Sequence, residues 1–236
     1  MPMSNFPRYA IYYLPAAGSA LAQFGAAMLG YDVVSGEDVP FAAPTAVIAD
    51  WRDVTADPRG YGFHATLKAP FGLIGGRSES ELLWACATFA ETPRAIPQIG
   101  PVIRPIGGFI ALVPEAPSES LQQLAADCVR DFDEFRAPLS AEDRARRKPE
   151  RLTPEQVGYL DRWGYPYVMD EFRFHMTLTG SLDPARHDEL LALLREQFAA
   201  TGIDRIAINR IAVLRQDARG ARFKSIAQFE LRSADY

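Results

Sequence analysis

The chain has 236 residues, which is enough for one large domain or for two lobes packed together. Apolar residues make up 48% and charged residues 23%, which excludes a chain that is disordered throughout. A formal net charge of −5 argues against a broad nucleic-acid-binding surface, but it is compatible with a local basic cleft that holds one phosphate.

The sequence predicts neither a membrane span nor a secretion signal. No stretch approaches the ~18 consecutive apolar residues that a span requires. The apolar patch near the N-terminus is interrupted by Pro7, Arg8 and Pro15, so we interpret it as a strand rather than a signal peptide. Cys86 and Cys128 lie in helical, apolar patterns, and we expect buried free thiols there. We therefore expect a cytoplasmic protein.

The predicted elements of the first half alternate between strands and helices. Ser78 followed by Glu81 is a capping box that begins one of these helices. Strands are predicted at 8–15, 62–71 and, as a pair around a glycine turn, within 101–115; helices are predicted at 18–30, 78–92 and 118–135. Residues 31–60 are rich in Pro, Asp and Gly and are predicted to be irregular.

The second half repeats this order after an unmatched segment. Residues 136–170 are predicted to form a partly helical insertion. A strand at 171–180, a helix at 183–201 and strands at 204–217 and 221–233 follow it. The order β-α-β-β occurs twice, which predicts an α+β fold of two similar lobes with a central cleft. One lobe would span about residues 1–135. Residues 171–236 would form the second lobe, including the strands that close the fold.

Two four-residue motifs stand at equivalent places in the two halves: HATL at 64–67 and HMTL at 175–178. Side chains alternate between the two faces of a strand. His64, Thr66 and Lys68 are therefore predicted to share one face of their strand. Likewise, Arg173, His175, Thr177 and Thr179 are predicted to share one face of theirs.

If these two polar faces meet across a lobe interface, they form a pocket of imidazoles, hydroxyls and cations. Such donors fit an anionic, tetrahedral ligand, for example a phosphodiester or a cyclic phosphate. His64 and His175 could divide the roles of general acid and base at phosphorus, and the residues leave open which is which. Thr66 and Thr177 would bind the phosphate oxygens, with Arg173 and Lys68 offsetting charge.

Three further residues are weaker candidates for the cleft. Tyr12 and Tyr61 could line the cleft or pack in the core. Lys224 is a weaker candidate, on a closing strand that could flank the site.

The paired motifs, together with RYAIYYLP, FRAPL and WGYPYV, make the chain similar to the 2H phosphoesterase superfamily. They resemble in particular a DUF1045-like branch of uncharacterised proteins associated with phosphonate operons. The resemblance implies a bilobal fold, a site between the lobes, no cofactor or metal, and cleavage of a cyclic phosphate. It implies catalytic roles for His64 and His175 and phosphate binding by Thr66 and Thr177.

Several alternatives remain at this level. The expected partner is a small phosphorylated substrate, here a phosphorylated-sugar cyclic phosphate; an RNA end with a 2′,3′-cyclic phosphate or a 2′,5′-ligation is the alternative. A module that binds a phosphorylated ligand without chemistry is a third hypothesis. The basic run 143–151 is either a solvated helix face or a lid over a second phosphate. His187 is expected on an exposed helix face rather than in a zinc site.

Overall fold

The computed structural model describes residues 6–234, which form an α+β fold built on one antiparallel sheet. The strands are β1 (Arg8–Tyr13), β2 (Tyr31–Asp32), β3 (Glu37–Asp38), β4 (Ala65–Gly72), β5 (Gln98–Ile99), β6 (Pro101–Ile106), β7 (Phe109–Pro114), β8 (Met176–Thr177), β9 (Ile206–Ala207), β10 (Arg210–Gln216) and β11 (Lys224–Glu230). The predicted α+β class is confirmed.

The helices are α1 (Ala20–Leu29), α2 (Ala43–Ala46), α3 (Trp51–Val54), α4 (Ala56–Arg59), α5 (Glu79–Glu91), α6 (Glu119–Asp131), α7 (Ala141–Arg146), α8 (Pro154–Trp163) and α9 (Pro184–Ala199). Short 3-10 turns cover Asp133–Phe135, Pro149–Arg151 and Met169–Glu171. The predicted capping box of Ser78 and Glu81 is present at the start of α5.

Seven strands form the main sheet in the order β11-β10-β1-β4-β8-β7-β6. β4 and β8, which continue the two motifs, are neighbours and run antiparallel, with Ala65 opposite Met176. The motif residues of the two halves therefore lie side by side in one sheet. This differs from two faces meeting across a lobe interface, because β4 and β8 are hydrogen-bonded to each other.

The strands of the two halves are interleaved. β10 and β11, from the C-terminal part, continue the sheet from β1, while β6 and β7 pair beyond β8. Two further pairs, β2 with β3 and β5 with β9, lie outside the main sheet. The predicted lobe boundaries at 135 and 170 stay predictions. The segment before residue 135 and the segment after residue 170 both contribute strands to the main sheet.

One face of the sheet carries the main core. Ala65, Leu67 and Met176 are buried there in one cluster with side chains of α1, α5, α6 and α9. The opposite face has a smaller cluster around Tyr12, Tyr31 and Phe223. The core helices α1, α5, α6 and α9 therefore pack on the first face of β4 and β8, opposite the smaller cluster.

Most helix predictions are confirmed, whereas several strands are shorter than predicted. The predicted strand at 171–180 is reduced to β8, because the 3-10 turn Met169–Glu171 precedes it and the Phe172 N–H donates to Met169 O. The predicted strand at 204–217 divides into β9, which pairs with β5, and β10. Residues 31–60 contain β2, β3 and three one-turn helices rather than a wholly irregular chain.

The insertion 136–170 is partly helical, as predicted, and is tied to the body of the protein. Arg136 donates to Asp133 at 2.7 Å and to the Arg162 carbonyl at 2.9 Å. The Gln122 amide on α6 donates to the Met169 carbonyl at 2.7 Å. These contacts tie the two ends of the insertion to α6 and to the turn that follows it. In the described part of the chain, no helix has the length and apolar character needed to cross a membrane.

Candidate active site

The register of β4 and β8 places the four motif residues in a compact block. Ala65 pairs with Met176, so one step along each strand brings His64 opposite Thr177 and Thr66 opposite His175. Side chains that are diagonal across an antiparallel pair stand roughly 7–8 Å apart. The two histidines are such a diagonal pair, which is a spacing that one phosphate group can bridge through hydrogen bonds.

Both histidines come just before their strands and share one local arrangement. His64 Nδ1 donates to the Gly62 carbonyl at 2.8 Å, and His175 Nδ1 donates to the Arg173 carbonyl at 2.7 Å. A carbonyl only accepts, so the proton of each neutral imidazole lies on Nδ1. Each Nε2 is therefore left as an acceptor.

The environment lowers the pKa of both imidazoles. Burial is the main cause for His64, whose pKa falls to about 4, and the nearby charge of His175 lowers it further. Burial also lowers the pKa of His175. Both rings are therefore neutral at pH 7, and a bound anion would raise both pKa values.

Aromatic rings and Thr66 hold the His64 ring in place. Tyr12 stacks on it with ring centroids 3.9 Å apart, and Tyr61 lies at 6.0 Å. The Thr66 hydroxyl lies 3.3 Å from His64 Nε2 and is also hydrogen-bonded to Tyr12. Tyr12 is almost fully buried and Tyr61 is partly exposed, so the first supports the site from below and the second borders it.

Lys68 does not lie on the face of the two histidines. Tyr12 pairs with Thr66 and Ile11 with Lys68, so Leu67 is an extra residue, a β-bulge that reverses the alternation. The Lys68 ammonium is buried on the helix side, where it donates to the Val129 carbonyl at 2.9 Å and to Asp133 at 3.0 Å. The predicted role of Lys68 in ligand binding is therefore not supported by its position.

The other predicted candidates divide between site and scaffold. Arg173 is exposed and lines the cavity beside His175. Thr179 is fully buried and accepts a hydrogen bond from the Ile110 N–H at 3.0 Å, so it is structural. Lys224 lies against Gly36. His187 is partly buried, with its Nε2 unbonded among the described residues, rather than exposed as predicted.

A cavity of about 500 Å³, the central cavity, opens over the motif strands. Its lining includes Thr66 and His175 from the motifs, Phe109 from β7, and Tyr165 and Tyr167 from the insertion. The pattern WGYPYV, which carries part of the family resemblance, contains Tyr165 and Tyr167. Phe109 follows a glycine turn and carried no signal.

The charges that line the central cavity nearly cancel. Arg173 contributes one positive charge, and Glu171, which accepts from the Gln156 amide at 2.9 Å, contributes one negative charge. Residues 6–234 contain no group of three His, Cys, Asp or Glu side chains arranged to hold a metal ion. Cys86 and Cys128 are buried free thiols, as predicted, and burial raises the pKa of both.

Fold and geometry together define an α+β protein with paired histidines and threonines at the centre of an antiparallel sheet. Residues 66–224, more than half of the chain, match the family described as "Protein of unknown function (DUF1045)". The chain belongs to this family.

Two curated relatives carry the name "Ribose 1,5-bisphosphate phosphokinase PhnN". The protein from Janthinobacterium sp. (strain Marseille) is 38% identical over 227 residues, which cover 93% of this chain and 49% of the relative. The protein from Laribacter hongkongensis (strain HLHK9) is 35% identical over 180 residues, covering 75% of this chain and 40% of the relative. The chain thus spans about half the length of the curated relatives it matches, or less.

Solved structures give weak similarities. E. coli LigT in complex with NADP+ has 14% identity and a TM-score of 0.43, with 96% of this chain and 98% of that chain covered. A conserved protein of unknown function from Agrobacterium tumefaciens strain C58 has 10% identity and a TM-score of 0.45, with coverage of 94% and 85%. These values are too low to support an inference about fold or activity.

Proposed function

We propose that the chain is a two-histidine phosphoesterase that hydrolyses a small cyclic phosphate or phosphodiester. The observation that carries this proposal is the paired geometry of His64 and His175. Each imidazole is fixed through Nδ1 by a carbonyl two residues earlier, and each offers Nε2 to the same sheet face. Two titratable groups oriented alike on neighbouring strands of one sheet are what acid–base catalysis at phosphorus requires.

The two histidines differ in a way that suggests their roles. His64 has the strongly lowered pKa, about 4, so it stays neutral more readily and is suited to the general base. His175, once an anion is bound and its pKa rises, is suited to the general acid. His64 Nε2 would take a proton from water as the new P–O bond forms. His175 Nε2 would protonate the leaving oxygen as the old P–O bond breaks.

The threonines would bind the phosphoryl oxygens. Thr66 and Thr177 lie between the two histidines in the strand register, one on each strand. Hydroxyl donors placed there would stabilise the charge that develops on the non-bridging oxygens. Arg173, at the edge of the central cavity, would add a cation.

The proposed substrate is a cyclic phosphate on a phosphorylated sugar. Two observations support this proposal. The chain resembles phosphonate-operon proteins, and the name of its two relatives refers to a ribose that carries two phosphates. The kinase activity in that name is not proposed for this chain, because its sequence has no G-x-x-x-x-G-K-S/T loop. We also propose, from the resemblance, that the reaction needs no metal and that the protein works in the cytoplasm.

Two other functions remain as test outcomes. An RNA-end 2′,3′-cyclic phosphodiesterase or 2′,5′-ligase would use the same histidines on a larger substrate. A binding module would hold the phosphate between the threonines without turnover. Neither is favoured by a specific contact in the described residues.

The decisive experiment is turnover of a panel of ribose and nucleoside cyclic phosphates in excess chelator by wild type, His64→Ala and His175→Ala. Loss of one acid or base is expected to lower kcat by about 10²- to 10⁴-fold. His187→Ala is the matched control, because it removes the third imidazole from helix α9 and should keep full turnover.

Three results would contradict the proposal in different ways. Turnover that disappears with chelator would overturn the metal-independent mechanism. Turnover that survives in both motif variants would place the chemistry elsewhere. A wild type that binds these compounds but turns over none would favour the binding module.

A further inference from the structure

A second cavity adjoins the central cavity and is strongly basic. It has a volume of about 300 Å³, and we call it the arginine pocket. Its lining includes Arg8, Arg136, Arg146, Arg147, Tyr61 and Ala69. These residues come from β1, β4, the segment before it, and the insertion, so only the tertiary fold brings them together.

The two cavities share a boundary. Ala69 lines both of them. Tyr61 lines the arginine pocket and also packs near the His64 ring. Tyr165 lines the central cavity, and the Arg147 guanidinium lies over its ring at 4.9 Å. The two cavities therefore meet at Ala69, and a ligand that occupied both would cross this residue.

The charge of the arginine pocket is unbalanced. Four arginines and one acidic residue, Asp143, line it, which leaves a formal charge of +3 (4 − 1). Arg136 is paired with Asp133, and Arg146 with Glu142 and Asp143. Those two guanidinium groups are therefore largely neutralised.

Arg8 and Arg147 are different, because neither forms an ion pair with a carboxylate of residues 6–234. Arg8 donates to the neutral Gln216 side chain at 2.9 Å and lies over the Phe223 ring at 5.8 Å. Arg147 is held by Tyr165. Both are half-buried, and aromatic faces pre-orient them without cancelling their charge. Partly desolvated, unpaired guanidinium groups in a small cavity favour a phosphate.

We propose that the arginine pocket binds a second phosphate of the substrate, a phosphomonoester separated by one sugar from the cyclic phosphate at the histidines. The inference rests on the proposed phosphoesterase function and specifies its substrate class. The central cavity has no net charge in its lining, so selection for a doubly phosphorylated substrate would come from the arginine pocket.

The test compares two substrates that differ at one position: methyl riboside 2,3-cyclic phosphate with either a hydroxyl or a phosphate at C5. Wild type should prefer the C5-phosphorylated compound in kcat/KM by about 10- to 100-fold, as expected for charge-assisted hydrogen bonds to a phosphate. Arg147→Ala should lose this preference because its KM for the C5-phosphorylated compound rises. Its kcat/KM on the C5-hydroxyl compound should stay within about twofold of wild type, because Arg147 does not line the central cavity.

Two variants make the comparison specific. Arg151→Ala is the matched control: it removes an exposed arginine of the same insertion that lines neither cavity, and it should change neither substrate. Arg8→Gln tests the second unpaired cation from a different strand and should repeat the effect of Arg147→Ala. Equal kcat/KM for the two substrates in wild type, or a uniform loss on both in Arg147→Ala, would overturn the second-phosphate site.

A failure of the proposed function gives a different result. If wild type turns over neither compound, titration calorimetry of both with wild type and Arg147→Ala decides the matter. If wild type binds the C5-phosphorylated compound more tightly and Arg147→Ala does not, the arginine pocket binds the second phosphate even though the proposed hydrolysis does not occur. Equal binding of the two compounds by wild type would overturn it.

Discussion

At the scale of single residues, the candidate site depends on where four polar side chains are placed rather than on their identity alone. Both histidines are oriented by a backbone carbonyl two residues earlier, at Gly62 and Arg173. Gly62 has a φ of +74°, a left-handed conformation that glycine adopts easily. A side chain at that position would also collide with Val33. The glycine therefore allows the turn that presents His64.

The lowered pKa of His64 predicts a specific dependence of stability on pH. The pKa is about 4 in the folded protein and about 6.5 in an unfolded chain. Between these values the unfolded chain binds a proton that the folded protein does not. The His64 contribution to stability is therefore complete above about pH 6.5 and is lost as the pH falls towards 4.

This prediction is tested by urea unfolding of wild type and His64→Gln at pH 7.5 and at pH 4.5. Wild type should lose about 2–3 kcal/mol more than the variant over this interval. Parallel losses in wild type and His64→Gln would show that burial of His64 does not disfavour its charged form.

At the scale of elements, helix α1 must approach the first motif closely. Gly25 lies in the middle of α1, and a Cβ atom there would be 1.9 Å from the Phe63 ring. Phe63 precedes His64, and its ring also contacts Phe24 in an edge-to-face arrangement. The absence of a side chain at Gly25 lets the helix and the motif segment pack together.

Two glycine-to-alanine variants should therefore shift stability in opposite directions. Gly158→Ala in α8 meets no atom within 4 Å, so the better helix propensity of alanine should stabilise the protein by about 0.5–1 kcal/mol. Gly25→Ala should destabilise it by about 1–3 kcal/mol, because overpacking outweighs the same gain. Denaturant unfolding at neutral pH measures both. A stabilised Gly25→Ala would show that Phe63 can move away at little cost.

At the scale of the whole molecule, the sheet is tied to its helices by a buried ion pair. Lys68 on β4 is 3% exposed and bonds to Asp133 just after α6. Burial lowers the pKa of Lys68 to about 8, while Asp133 counteracts this effect. The β-bulge at Leu67 turns the ammonium towards these helices and away from the central cavity.

Lys68→Met and Asp133→Ala should therefore behave differently. Lys68→Met replaces the buried cation with an apolar side chain of similar length, and Arg136 still pairs with Asp133; stability should change by less than about 1.5 kcal/mol. Asp133→Ala leaves a buried, unpaired ammonium and should cost about 3–5 kcal/mol. Urea unfolding measures both effects.

The same Lys68 variant tests its position relative to the site. Turnover of a cyclic phosphate by Lys68→Met should stay within about threefold of wild type, since the side chain lies on the helix face. Arg173→Met, which removes the cation that lines the central cavity, should raise KM. A loss of turnover in Lys68→Met without a loss of stability would show that Lys68 contributes to the site.

Local patterns in the sequence were enough to predict the α+β class, the main helices with their caps, and four residues of the candidate site. These features follow from local rules: hydrophobic period, capping chemistry and the alternation of side chains. The matched frames of His64 and His175 were visible because each motif continues into a strand of the sheet.

Which strands are neighbours, and which cations line the cavities beside the motifs, could be seen only once the chain was folded. The β-bulge at Leu67 moves the Lys68 side chain to the helix side of the sheet. No local sequence pattern predicts such an extra residue. Arg8 and Arg147 are 139 positions apart in the chain (147 − 8) and meet in one pocket because the insertion folds back beside β1. Such contacts depend on packing between distant parts of the chain. Local sequence patterns therefore indicate which chemical groups are present, and the tertiary structure determines which of them come into contact.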